Sequence, residues 1–279
     1  MTSTREQIAL NELAKKIRLE SRLKRKMHKL FRKISKDLRS QFVISGTVLN
    51  ANTYKNEIAE TLRDHYDRVF KSFNNVVINE IKSYKNGEEF KQVEENIVDR
   101  ENERFKNSQS ETQSQKITDT NQKRINAAIA AALLAFRQES LVEPSTESER
   151  LLARKKIASG ASQKFLSDAE SRAEATAITE TQNPAETAKN NQINALSITG
   201  AISSFGVRKV WTAILDNRVR DAHAIADGQV RKIGEPYEVN GELLKHPGDT
   251  SLGASAGNVI NCRCSSSLQF LGLNTGINL

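Results

Sequence analysis

Two histidines and two cysteines towards the C-terminal end carry the residue types of a metal site. His223, His246, Cys262 and Cys264 together offer the two nitrogens and two thiolates of a Cys2His2 zinc site. A structural zinc is the cofactor such a set would hold, and it would steady a region with few large apolar residues. The spacing argues the other way. One residue separates Cys262 from Cys264, a tighter pairing than C-x-x-C, and on an extended strand side chains at i and i+2 stand roughly 7 Å apart. Both sulfurs reach one ion only where the backbone turns locally. The alternative is two small buried cysteines beside histidines that hydrogen-bond to their neighbours.

A second constellation comprises Asp216, Arg218, Arg220, Asp221 and Asp249. If Asp216 begins a helix, its carboxylate caps free N–H groups, and Arg218 or Arg220 can pair with Asp249. As chemistry, His223, Asp249 and Cys262 could form the site of a metal-dependent hydrolase or transferase. No activated nucleophile or metal–carboxylate motif accompanies them, so no residue is assigned a catalytic role. The run His246-Pro247-Gly248-Asp249 reads as a turn with Gly248 at positive φ. Glycines at 248, 253 and 257 do not form a phosphate-cradling loop.

These pieces occur in a fixed order: Trp211 opening a strand, D-x-R-x-R-x-x-H over Asp216–His223, D-G-Q over Asp227–Gln229, H-P-G-D over His246–Asp249, and N-C-R-C over Asn261–Cys264. Together they resemble the C-terminal domain of phage minor head proteins, the Mu F-like head morphogenesis family. The upstream run R-A-E-A-T-A-I-T-E-T-Q, Arg172–Gln182, is similar to that family's preceding helix. The resemblance covers Thr146 to Phe270. It implies a minor head (capsid) protein of a tailed double-stranded DNA phage, associated with the portal protein and acting in head morphogenesis. Contact with packaged DNA and ejection with the genome are further implications, as are scaffolding or major capsid protein as additional partners. The implied location is the capsid interior near the portal, after synthesis in the host cytoplasm.

Of 279 residues, 37% are hydrophobic and 5% aromatic, low for a compact globule of this size. An extended, helix-rich body with a small core is the expectation. The net charge of +8 is concentrated: residues 1–40 hold thirteen Lys/Arg against four Asp/Glu. Two closely spaced cysteines give no disulfide framework, which points to a reducing setting. No apolar segment follows the N-terminus as in a signal peptide. The most apolar run, Ile125–Phe136, is shorter than the ~20 residues a bilayer requires, so no membrane partner is expected.

The elements that must position the site follow from periodicity. Residues 1–40 read as a basic amphipathic helix, with Leu10, Leu13, Ile17, Leu23, Met27, Leu30, Ile34 and Leu38 at three- and four-residue steps. Lys15, Lys16, Arg18, Arg22, Lys24, Arg25, Lys26, Lys29, Arg32 and Lys33 are its candidate DNA contacts. Without interleaved aromatics, such contact would be to phosphates, salt-sensitive and sequence-blind. Residues 41–145 form a helical region: a helix capped at Asn52 or Thr53 and stopped by Asn86-Gly87, a weaker one from Glu88, a polar loop over 107–115, and a further helix capped at Asp119 or Thr120. Pro144 breaks the pattern, and the capping box Thr146-x-x-Glu149 opens a domain over 146–275. There, helices are expected to either side of a break at Pro184. Strands follow over 207–215 and 259–270, with a hairpin turning at Asn240-Gly241. The fold class is mainly α: an extended helical N-terminal region followed by a small α+β C-terminal head-morphogenesis domain.

Overall fold

A computed structural model describes residues 4–84, 95–140, 143–200, 202 and 206–271. The described chain is mainly helical, with antiparallel strands confined to its C-terminal part, as the periodicity predicts. The stop expected at Asn86-Gly87 and the start at Glu88 lie outside the described residues.

Helix α1 (Thr4–Ser45) runs past its expected end until Gly46 adopts a φ of 69°. Its inward stripe steps through Ala9, Glu12, Lys16, Glu20, Leu23, Met27, Leu30, Ile34 and Leu38, all buried. The later part agrees with the sequence. Towards the N-terminus, Leu10 and Ile17 instead face solvent, and the inward positions belong to charged residues. Apolar periodicity misphased this segment because its buried face carries ion pairs.

After a 3-10 turn (Ala51–Tyr54) capped by Asn50, the expected single helix is two: α2 (Lys55–Phe73) and α3 (Val76–Tyr84), interrupted at Asn74-Asn75. Its stripe of Ile58, Leu62, Tyr66, Val69, Phe73, Val77 and Ile81 is buried as predicted. Helix α4 (Glu95–Glu139) is continuous through the expected polar loop. Small polar residues there face inward, with Ser110, Ser114, Thr118 and Asn121 all buried. Ser114 donates back to the Glu111 carbonyl at 2.9 Å, so part of this polar face satisfies itself within the helix. Helix α5 (Glu147–Leu166) opens on the expected capping box: Thr146 Oγ1 accepts from the Glu149 N–H at 3.2 Å and Glu149 accepts from the Thr146 N–H at 2.9 Å.

Helix α6 (Ala169–Ile198) passes through Pro184 without ending. Proline in a helix interior costs about 3 kcal/mol. Every residue from Glu180 to Lys189 is buried, and this burial outweighs the missing hydrogen bond. Beyond it lie β1 (Val207–Thr212), α7 (Asp221–Ile225), β2 (Val230–Lys232), β3 (Tyr237–Val239), β4 (Glu242–Leu244), α8 (Ala256–Val259) and β5 (Ser265–Phe270). An antiparallel sheet is ordered β2-β1-β5, with Trp211 opposite Ser266 and Val210 opposite Val230. Strands β3 and β4 form the expected hairpin, with Asn240 at φ 52° and Gly241 at φ 75°, as a primed turn demands.

The chain divides into two compact units that do not follow chain order. One comprises Met1–Ser21, Asp64–Asn107 and Ala177–Leu279; the other comprises Arg22–Arg63 and Ser108–Thr176. The residue 146 boundary expected from sequence falls inside the second. That unit packs the apolar stripe of α1, and Arg172 lies between the rings of Phe31 and Phe165, 4.5 and 4.7 Å from their centroids, while held by Asp168. The first unit contains the sheet and two apolar clusters. Trp211, Ala226, Tyr237, Val239, Leu244 and Val259 surround both cysteines, and Val77, Ile81, Ile193, Leu196, Val207 and Leu268 form the other cluster.

Candidate functional site

His223, on the short helix α7, meets Cys262 and Cys264 on the segment entering β5. Its Nδ1 lies 3.7 Å from Cys262 Sγ and 3.4 Å from Cys264 Sγ. The three donor atoms lie within 4.8 Å of one another, and all three residues are buried. The local turn that a C-x-C pair needs is present: Asn261 has φ 58°, a left-handed conformation that asparagine tolerates. Its N–H is fixed by Thr179 Oγ1 at 3.2 Å, and the Cys262 N–H returns to the Val259 carbonyl at 3.3 Å. Trp211 closes the site, edge-on to His223 with ring centroids 5.6 Å apart. Within the pair, the neighbouring Cys264 thiol draws the pKa of Cys262 well down, against the opposing effect of burial and with help from His223. The pKa of Cys264 is raised, by its pairing with Cys262 and by burial.

His246 does not join this group. The H-P-G-D turn directs it elsewhere, with Nε2 3.2 Å from Thr187 Oγ1 and Nδ1 3.3 Å from the Pro247 carbonyl. Burial holds it below the usual histidine range despite Asp249 and Glu186 nearby. The four-residue metal set read from sequence therefore becomes three. Asp249 is also outside the group, and its carboxylate is occupied by the turn. It accepts from the Lys245 N–H at 2.9 Å, the Ser251 N–H at 2.8 Å and the Ser251 hydroxyl at 3.1 Å. Burial opposes its ionisation, but His246 and these donors hold it below the ordinary aspartate range. The trio of His223, Asp249 and Cys262 is not assembled.

The remaining signature residues tie loops together. Asp216 accepts from the N–H and guanidinium of Arg218 at 2.9 and 3.2 Å, so it organises a turn and does not cap α7. Arg220, the residue preceding α7, donates to the Ile260 carbonyl, and neither arginine pairs with Asp249. Asp227 receives the Ala213 N–H at 2.8 Å and Arg5 at 3.1 Å. Gln229 reads the Glu238 backbone in both directions, each bond 2.8 Å long. Gln182, on α6, donates to the Cys264 carbonyl at 2.6 Å and to that of Pro247 at 3.4 Å, so one side chain anchors both the cysteine segment and the H-P-G-D turn.

Residues 152–267 match the family described as Phage Mu protein F like protein. This stretch is a Mu F-like domain. The resemblance drawn on Thr146–Phe270 agrees with this match over nearly its whole length. No curated protein and no solved structure matches the chain significantly.

Packed on the Mu F-like domain within the first unit is a buried charge network that sequence reading missed. Lys16 donates to Glu186 at 2.7 Å, and Lys189 binds Glu12 at 2.7 Å and Glu186 at 3.5 Å. Ser265 donates to Glu12 and receives Lys189 at 2.8 Å, while the Ser266 N–H reaches Glu186 at 2.9 Å. Burial works to raise Glu186, but Lys16, Lys189 and the Ser266 N–H override it and lower its pKa to about 2. Glu80, which accepts the Leu268 N–H, goes the other way: burial lifts it to about 7, with Lys189 pulling back only in part. Glu186 and Lys189 lie one turn apart on α6, a spacing visible in the sequence, although their partners on α1 and β5 are not.

The candidate DNA-binding residues separate into distinct groups. Lys16 is buried in this network and cannot reach a phosphate. Lys24 is bonded to Glu174 and Glu170, and Lys33 to Glu57. Lys26 is half-buried, whereas Lys15, Arg18, Arg22, Arg25, Lys29 and Arg32 face solvent. Within the second unit, Arg22, Arg25, Lys29, Arg32, Lys36 and Arg39 recur at alternating steps of three and four along one exposed face of α1. Lys36 and Arg39 were outside the sequence-derived set and extend it.

Proposed function

We propose that this Mu F-like protein is a minor head protein of a tailed double-stranded DNA phage, bound at the portal and touching packaged DNA through the exposed face of α1. The family match over residues 152–267 supports the head assignment. The observation carrying the DNA contact is the row of cations from Arg22 to Arg39, six side chains spread over about 26 Å of helix at 1.5 Å per residue. DNA presents a charge about every 1.7 Å of axis, so such a row meets phosphates without reading bases. Entry into the virion near the portal, contact with scaffolding or major capsid protein, and release with the genome belong to the same reading. No helix among the described residues is long and apolar enough to cross a membrane.

Changing Lys29, Arg32 and Lys36 together to glutamine should flatten the dependence of log affinity on log salt by about 3, at roughly 0.9 for each phosphate no longer neutralised. The same change at Lys24 should leave the slope unaltered. An unchanged slope in the triple variant would show that this face of α1 does not bind DNA. Mass spectrometry and cross-linking of nuclease-treated particles test placement: low-copy protein linked to portal is expected, and absence from both empty and filled heads would refute the virion role.

A further inference from the structure

We propose that His223, Cys262 and Cys264 bind a single zinc ion that fastens α7 to the segment entering β5. The inference stands apart from the head-assembly reading and uses three ligands, not the four suggested by composition. Geometry carries it. In a tetrahedral site with Zn–S near 2.3 Å and Zn–N near 2.0 Å, a ligating nitrogen and sulfur stand about 3.6 Å apart. His223 Nδ1 lies 3.7 and 3.4 Å from the two sulfurs, the spacing such an ion would impose. All three donor atoms fall within 4.8 Å of one another, so a common centre lies within reach of each.

The chemistry agrees. Two thiols and an imidazole form a soft donor set that suits zinc and disfavours magnesium or calcium. Zinc would displace the thiol protons, converting a crowded cluster of weak donors and acceptors into three directed bonds. His223 lies 39 and 41 residues before the two cysteines, so one ion would close one long loop of the chain. Exposure of 1% for His223 and Cys262 and 3% for Cys264 sets the ion back from bulk solvent, which suits a structural role. The fourth position falls to a water or a small anion.

The test uses the full-length chain purified under reducing conditions. Metal analysis should return about one zinc per chain, and cobalt substitution should produce thiolate-to-cobalt charge-transfer absorption with strong tetrahedral visible bands. Cys264→Ser and His223→Ala should lose the metal, whereas His246→Gln should retain it. A strong chelator should lower the melting temperature of the unaltered protein but leave that of Cys264→Ser unchanged. If either ligand variant does not fold, the cobalt spectrum of the unaltered protein still decides whether thiolates ligate. A reduced, folded protein that takes up neither zinc nor cobalt would overturn the proposal. So would full metal in Cys264→Ser, metal lost only in His246→Gln, or isolation of a Cys262–Cys264 disulfide under reducing conditions.

Discussion

Replacing Lys16 by methionine isolates the role of the buried charges from that of the basic surface on the same helix. Methionine keeps most of the apolar stem and removes the cation 2.7 Å from Glu186. Breaking a buried pair by deleting one partner costs about 3–5 kcal/mol, because the other charge remains desolvated. Glu186 would still have Lys189 at 3.5 Å and the Ser266 N–H at 2.9 Å. The loss should therefore sit near the lower bound, about 3 kcal/mol. Lys29→Met, on the exposed face, should change stability by no more than about 0.5 kcal/mol. Urea unfolding followed by the fluorescence of Trp211, the sole tryptophan and fully buried, reports directly on the unit concerned. Adding Glu186→Gln to Lys16→Met should recover part of the loss, since a neutral amide no longer strands a charge. Equal midpoints for Lys16→Met and Lys29→Met would refute the reasoning, as would equal loss of DNA affinity in the two folded variants. The network also excludes a freely removable arm: deleting residues 1–40 takes Glu12 and Lys16 away and leaves Glu186 and Lys189 buried without them.

Further outcomes follow from the same unit. Glu186, at about 2 folded against an ordinary 4.5, contributes stability that is present above pH 4.5 and lost as pH falls towards 2. Glu80, raised to about 7, contributes in the opposite sense, its share being intact below pH 4.5 and lost as pH rises through 7. Each shift corresponds to about 3 kcal/mol, so these two groups place maximal stability near pH 4.5 to 5. Glu80→Gln should flatten the decline between pH 5 and 7, as measured by urea midpoints across that range; an unchanged decline would show that another group causes it. Gly248→Ala should destabilise by more than about 1 kcal/mol, because φ is +83° and the added Cβ would meet Gln182 Cγ at 3.0 Å. Thermal unfolding would check this, and a neutral result would mean that the turn relaxes without disturbing its anchor.

Local rules made much of this fold legible. The capping box at Thr146, the Asn240-Gly241 hairpin and the positive φ of Gly248 each depend on residues adjacent in sequence, and each is found. The apolar stripe of α1 was readable from Leu23 onward, where burial and hydrophobicity coincide. It failed at Leu10 and Ile17 because the partners of Glu12 and Lys16 lie on α6 and β5, and periodicity carries no information about distant counter-charges. The polar run in α4 and Pro184 in α6 misled for a related reason: tertiary burial overrode intrinsic propensity. At the site, residue types identified His223, Cys262 and Cys264, but they could not reveal that His246 points to Thr187. Spacing fixes which residues share a loop; the turn decides which way each ring faces.

The pairing of α1 with the far end of the chain also sets an order on how the protein can be made. Glu20 and Arg263 are joined at 2.9 Å across 243 residues, and Glu12 and Ser265 are joined across 253. At translation speeds of roughly 5–20 residues per second, the first turns of α1 emerge on the order of 10–50 s before their partners. During that interval Glu12 and Lys16 stay hydrated, and the face they occupy is that of an ordinary solvated helix. Only when β5 leaves the ribosome can their charges be buried. Completion of the first unit therefore reports that the polypeptide has been synthesised through β5, and any surface built on that unit becomes available for assembly only after that point.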